Sequence, residues 1–143
     1  MAFLDLILPA PPGARASAGL LAVRLVAGPA FILHGWPKIQ NAFAWMPADA
    51  GIPGILQAAA ALAEFGGGIA WTLGLLTPLA SLGLLSTMAV AASFHIRRGD
   101  PFVGMGGAYE PALLYAAISL LFLLAGPGKF AIDELALRRP PRS

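Results

Sequence analysis

Five ionisable residues lie within, or at the ends of, long apolar segments of the chain. Arg24 and Glu64 lie inside two such segments, and His34, His95 and Glu110 lie near segment ends. In a membrane-spanning segment, ionisable side chains usually face protein or a water-filled cavity. Imidazoles and carboxylates exchange protons readily, and they are also metal-ligand types. The chemistry therefore depends on which of these residues the segments bring together.

The composition indicates an integral membrane protein. Of the 143 residues, 58% are hydrophobic and 11% are charged, whereas a typical soluble domain has about 25% charged residues. The net charge of +2 forms no basic stripe with aromatic residues, so nucleic-acid binding is not expected. The sequence has no cysteine, and hence no disulfide, thiol or iron–sulfur chemistry of its own.

Four apolar segments predict an all-α fold, a polytopic antiparallel bundle of four transmembrane helices. A spanning helix needs roughly 20 residues to cross the hydrocarbon core. Residues 1–16 are predicted to be an interfacial leader and residues 138–143 a basic tail. Between them lies a transmembrane domain over residues 17–137, with spans at about 17–39, 55–76, 79–96 and 111–125.

The basic residues predict the orientation of this bundle. With four spans both termini lie on one side, and excess Lys and Arg mark the cytoplasmic side. We therefore expect a multi-pass protein of the bacterial inner membrane with both termini cytoplasmic and His34 at the outer end. The side of the termini has Arg15, Lys129, Arg138, Arg139 and Arg142, and the other side has Lys38, Arg97 and Arg98.

Arg24 and Glu64 are predicted to form an ion pair inside the bundle. If the first two segments end level with each other, the two side chains differ in height by roughly 7 Å at 1.5 Å per residue. An extended arginine spans that distance. Such a pair either fixes the register of the helices or forms the polar floor of a ligand pocket, and the sequence leaves both interpretations open.

His34, His95 and Glu110 are predicted to converge near the outer end, as candidate catalytic residues. Together they would suit proton transfer to and from a bound quinone. A metal site is the weaker interpretation, because no spacing such as H-x-x-x-H is present. In the plainer alternative, His34 ends its helix and His95 lies among lipid headgroups.

Other residues near these segments have less specific predictions. Arg24, Glu64, Tyr109 and Trp36 are candidate ligand-binding residues. Tryptophans near segment ends, however, are more typical of interfacial anchors, and this applies to Trp36, Trp45 and Trp71. Lys38 is predicted to reach the headgroups.

Four motifs occur in order along the chain. They are His34-Gly35-x-x-Lys38-Ile39, Glu64-Phe65-Gly66-Gly67-Gly68 with residues 74–80 after it, Gly106-Gly107-Ala108-Tyr109-Glu110, and Gly126-Pro127-Gly128-Lys129-Phe130-Ala131-Ile132-Asp133. Together they resemble the DoxX family of membrane proteins. The resemblance covers residues 20–137 and implies a four-helix membrane protein. Some relatives are linked to quinone-coupled sulfur oxidation, as the thiosulfate:quinone oxidoreductase subunit, and others to oxidative-stress defence, as membrane partners of soluble redox enzymes.

Three functions fit these predictions, and the sequence leaves open whether the chain is an enzyme. The first is a quinone-linked redox protein or the membrane subunit of a redox complex, with no covalent cofactor. Its partners would be membrane lipids and either a redox protein or further copies of the chain. The second is a non-catalytic structural or assembly subunit. The third is a small-molecule carrier, although the inverted repeats of secondary transporters are not evident.

Overall fold

The structure, a computed structural model, describes residues 10–137, and this part of the chain is helical and has no strand. The predicted all-α fold is confirmed. One 3-10 turn, Ala48–Ala50, lies in the first loop. Most of the predicted leader and the whole basic tail, residues 1–9 and 138–143, lie outside the described residues. The helices are α1 (Ala14–Ile39), α2 (Gly54–Leu73), α3 (Thr77–Arg97), α4 (Glu110–Ala125) and α5 (Ile132–Leu137).

The outer faces of the helices are apolar and the interior contains polar groups. Both α1 and α3 are long and apolar enough to cross a membrane, while α4 is apolar but has 16 residues. Side chains such as Val26, Leu33 and Leu124 are at least 70% exposed. Apolar faces of this extent match lipid surroundings, where polar groups must be satisfied internally. The buried polar side chains include Ser17, Arg24, Gln57, Glu64, Thr77, Ser81, Ser119 and Asp133.

Glycines allow α1 and α2 to pack with their backbones in contact. A Cβ atom added to Gly68 would lie 2.6 Å from the backbone nitrogen of Ile32. A Cβ atom on Gly28 would lie 2.8 Å from the backbone nitrogen of Thr72. Small residues are the usual means of bringing helices this close in a membrane. These contacts fix the antiparallel register of the two helices.

Trp71 lies at the centre of the bundle and contacts all three neighbouring helices. Its ring meets Phe31 of α1 edge-on at 5.5 Å and Phe122 of α4 at 4.8 Å, between centroids. Its Nε1–H donates to the Ser81 hydroxyl of α3 at 2.9 Å. The prediction of Trp71 as an interfacial anchor is therefore wrong, because its side chain is fully buried and its polar atom has a protein partner.

The chain after α4 folds back across one end of the bundle. We call residues 126–133 the closing segment. The carboxylate of Asp133 accepts hydrogen bonds from the backbone N–H groups of Leu76 and Thr77, at 2.7 and 2.8 Å, and so caps the start of α3. Leu76 has a positive φ of 49°, which is unusual for a residue other than glycine. The Asp133 bonds hold it in that conformation.

The same closing segment also binds the start of α1. The Arg24 guanidinium donates to the Phe130 carbonyl at 2.6 Å. The backbone N–H of Lys129 donates to the Ser17 hydroxyl at 3.1 Å, and that hydroxyl donates to the Pro12 carbonyl. The closing segment thus joins α1 to the α2–α3 turn.

We expect Gly68→Ala to lower the free energy of unfolding by about 1–3 kcal/mol, because its methyl group would overlap the α1 backbone. Gly66→Ala is the matched control on the same helix. A Cβ atom there meets only Leu62 Cδ1, at 3.6 Å, and alanine favours helix. Unfolding in mixed detergent micelles measures the free energy of unfolding of both variants. Equal stability of the two variants would contradict the close packing.

Asp133→Ala should destabilise the protein by about 1–2 kcal/mol, because two N–H groups at the start of α3 lose their acceptor. Asp49→Ala, at an exposed aspartate in the first loop, is the control and should have little effect. The same unfolding assay applies. If Asp133→Ala is as stable as the control, the capping role is wrong.

Candidate functional site

A cavity of about 410 Å³ lies between the four long helices, α1 to α4, and the loop of residues 98–109. This volume is within the range of about 300–1,000 Å³ that is common for small-molecule sites. Phe31, Met88 and glycines of the loop form part of the wall. The polar groups that line it are His34 and Lys38 of α1, Glu64 of α2, His95 of α3 and Tyr115 of α4.

The structure places the two histidines at this one cavity. His34 and His95 come from different helices, and their convergence is what the spacing of the segments predicts. His34 is exposed at the cavity, and within the described residues its ring makes no hydrogen bond. Their catalytic roles stay predictions.

Glu110, Tyr109 and Trp36 are not among the residues that line the cavity. Glu110 is exposed at the start of α4, where its backbone N–H donates to the Phe102 carbonyl at 3.0 Å. The Tyr109 ring packs against Phe102, with centroids 5.3 Å apart. Trp36 is 55% exposed and lies against Phe65 on the outer face. These three therefore lie around the site rather than in it.

The predicted Arg24–Glu64 pair is wrong. The contact of Gly35 with Phe65 makes Glu64 level with residue 36 of α1. Residue 36 lies twelve positions from Arg24, or about 18 Å along the helix. The prediction assumed that α1 and α2 end level with each other. In the structure the first turns of α1 continue past the end of α2, so Arg24 meets the closing segment instead.

Lys38 is the partner of Glu64. Its ammonium lies 2.6 Å from each carboxylate oxygen, and the two side chains are 26% and 3% exposed. The ammonium also lies 4.6 Å from the centroid of the Trp45 ring, in a cation–π arrangement. The prediction that Lys38 reaches the headgroups is therefore wrong. A buried carboxylate needs a nearby cation, and this requirement could have pointed from the sequence to Lys38 as the partner of Glu64.

The first loop holds Trp45 in this position. Gln57, which is 7% exposed, accepts the Trp45 Nε1–H on its backbone carbonyl at 2.8 Å. Its side chain accepts from the Met46 backbone and donates to the Ile52 carbonyl, both at 2.9 Å. The first loop thus holds the Trp45 ring against the Lys38 ammonium. No residue of 41–53 lines the cavity, so the loop lies outside it.

His95 is oriented by Asp100, a residue that the sequence analysis did not single out. The ring Nδ1 lies 2.7 Å from Asp100 Oδ2, and Arg98 Nε lies 3.9 Å from the same oxygen. A carboxylate at Nδ1 favours the proton on that nitrogen. Nε2 is then the ring nitrogen that can serve a molecule in the cavity.

The polar groups left without a protein partner determine what the cavity can bind. The Lys38 ammonium and both Glu64 oxygens are satisfied by each other. Within the described residues, the His34 ring and the Tyr115 hydroxyl have no hydrogen-bond partner, and His95 has a second ring nitrogen. Each of these groups can donate or accept. They suit a neutral molecule with carbonyl or hydroxyl oxygens better than an anion, because the cation is already paired.

Among residues 10–137 no group of three or more His, Asp or Glu side chains is placed to hold a metal ion. The polar atoms of the cavity are instead spread over four helices. The arrangement can donate, accept and transfer protons, and its aromatic walls can hold a flat apolar ring.

The fold and the cavity define a class, a small helical membrane protein with a polar pocket near one end of its bundle. The chain belongs to the DoxX family, and the DoxX family model matches residues 19–96. The resemblance expected from the motifs is thereby confirmed. Membership of this family makes the chain a membrane protein.

Two relatives extend the match along most of the chain. Over 121 residues the chain is 31% identical to inner membrane protein YqjF of Escherichia coli (strain K12), covering 82% of this chain and 91% of that protein. Over 115 residues it is 34% identical to an uncharacterized protein of Haemophilus influenzae, covering 78% of this chain and 86% of that protein. No solved structure matches the chain significantly.

Lys38→Met should destabilise the protein more than Glu64→Gln. The first substitution leaves a carboxylate of 3% exposure without a cation, whereas the second leaves an ammonium that is already 26% exposed and can reach water. Losing one partner of a buried pair costs up to about 3–5 kcal/mol. Unfolding of both single variants and the double variant tests this order.

The double variant should be less destabilised than the sum of the two single variants, because no unpaired charge remains. Additive effects of the two substitutions would show that Lys38 and Glu64 do not act as a pair.

Proposed function

We propose that this chain is a four-span protein of the bacterial inner membrane that binds a quinone in its cavity. It would act as a quinone-linked redox protein or as the membrane subunit of a redox complex. In this arrangement α2 and α4 also cross the bilayer and both termini are cytoplasmic. The excess of basic residues on the side of the termini supports that orientation.

The proposal rests on one observation: two imidazoles and two aromatic side chains line the same ligand-sized cavity. The rings of Phe31 and Tyr115 lie 4.7 Å apart at a tilt, and both line the cavity with His34 and His95. A quinone is a flat apolar ring with carbonyl oxygens, and these residues match both features. When bound, a quinone supplies the capacity to take up two electrons and two protons.

The residues of the chain have separate tasks in this proposal. Nε2 of His95 and the His34 ring bind the ligand oxygens and hold or release protons there. Asp100 keeps His95 in one orientation. The Lys38–Glu64 pair forms a neutral polar floor, so a neutral ligand enters without meeting an unpaired charge.

Electrons reach this site from a separate molecule. The sequence has no cysteine for an iron–sulfur centre or a thiol relay. In this proposal the chain contributes binding and proton exchange, and a partner protein or a second substrate supplies the electrons. A non-catalytic subunit remains the alternative function that the following experiment separates from this one.

Purified protein in lipid nanodiscs should bind decylubiquinone saturably, as measured by quenching of its tryptophan fluorescence. His34→Ala and His95→Ala should each weaken binding about fivefold to tenfold, because each removes one hydrogen bond to the ligand. Ser93→Ala is the matched control on α3, since its hydroxyl bonds only the carbonyl of Ala89 and is exposed.

Saturable binding that weakens in both histidine variants and not in the control would support the proposal. Absence of saturable binding by the unmodified protein, or equal binding by all three variants, would overturn it. A non-catalytic subunit would give that result.

A further inference from the structure

The loop between α3 and α4 exposes an apolar tip at the end of the bundle where the cavity lies. Phe102 and Val103 are 52% and 64% exposed, and the Met105 side chain is entirely exposed. Three large apolar side chains within four residues are not expected at a loop tip in water. This tip therefore requires apolar surroundings.

The length of α4 indicates what those surroundings are. α3 has 21 residues and α4 has 16, which correspond to about 32 Å and 24 Å. The two helices are level at the far end, because the Trp71 side chain contacts both Ser81, four residues after the start of α3, and Phe122, three residues before the end of α4. The hydrocarbon core is about 30 Å thick. If α3 spans it, α4 begins about 8 Å below the end of α3, so the residues before α4 lie where the acyl chains meet the headgroups. At that level the exposed carboxylate of Glu110 still reaches the headgroup region.

The base of this loop is closed by two backbone hydrogen bonds, and three of its glycines face the cavity. Irregular backbone is tolerated within a membrane only where it is satisfied by protein or lines a cavity. The backbone N–H groups of Tyr109 and Glu110 donate to the carbonyls of Pro101 and Phe102, at 3.3 and 3.0 Å. Gly104, Gly106 and Gly107 line the cavity on the inner side of the loop.

Two basic residues lie beside the tip. Arg97 ends α3 and Arg98 follows it, and both are exposed. An apolar tip next to exposed guanidinium groups matches the order of acyl chains and phosphate headgroups in a leaflet. The charge thus favours lipid over a protein partner.

We propose that residues 102–105 insert into the leaflet at this end of the bundle, so that the loop forms the wall between the cavity and the lipid. A lipid-soluble ligand would reach the cavity past this loop. The inference rests on the four-span arrangement proposed above, but not on the identity of the ligand.

Site-directed spin labelling tests this directly, because the sequence has no cysteine to remove. Nitroxides are attached to Met105→Cys, to Leu120→Cys on the exposed face of α4, and to Asp49→Cys in the first loop. The variants are reconstituted in phosphatidylcholine–phosphatidylglycerol vesicles. Collision with oxygen, which concentrates in lipid, is compared with collision with a water-soluble nickel chelate.

The label at 105 should collide with oxygen and be protected from nickel, as at 120, whereas the label at 49 should show the reverse. Nickel access at 105 with protection at 120 would overturn the inserted loop and leave the four spans intact. A label at 105 that is shielded from both probes would also overturn it, because a second copy of the chain then covers the tip. Nickel access at 120 would overturn the four-span arrangement itself.

Discussion

The Glu64 carboxylate has to be neutralised inside an apolar bundle, and Lys38 does this. An unpaired carboxylate of 3% exposure would cost several kcal/mol, so the register of α1 and α2 that brings Lys38 to Glu64 is strongly favoured. The glycine contacts of the same two helices select that register independently. Lys38 lies one turn beyond His34, so the pair also places His34 at the wall of the cavity.

The other end of the bundle is organised by a second set of polar contacts. The buried Arg24 side chain bonds the closing segment, and Asp133 of that segment caps α3. Two Arg24 nitrogens, Nε and Nη1, have no hydrogen-bond partner among the described residues. A carbon atom added to Gly74 would overlap the guanidinium, so the α2–α3 turn packs directly against it. Arg24 therefore joins parts of the fold, and the cavity proposed as the binding site lies at the opposite end of the bundle.

Much of the fold could be predicted from the sequence, because helix bounds follow from local signals. Apolar runs of 15 or more residues, bounded by Thr77-Pro78 and Gly126-Pro127-Gly128, give the four long helices to within three residues at each end. The convergence of His34 and His95 follows from alternating helix direction. Which ionisable side chains pair with each other could not be predicted from these local signals. The Arg24–Glu64 error came from assuming level helix ends, and a shift of a few residues changes which side chains meet.

The most direct test of the central claim, that the polar cavity is the binding site for a quinone, is photolabelling with an azidoquinone in membranes. Mass spectrometry would locate the adducts. If a quinone occupies the cavity, adducts should form on lining residues such as Phe31, Met88 and Tyr115, and competing ubiquinone should suppress them. Adducts confined to lipid-facing positions such as Leu33 and Leu62, unaffected by the competitor, would contradict it.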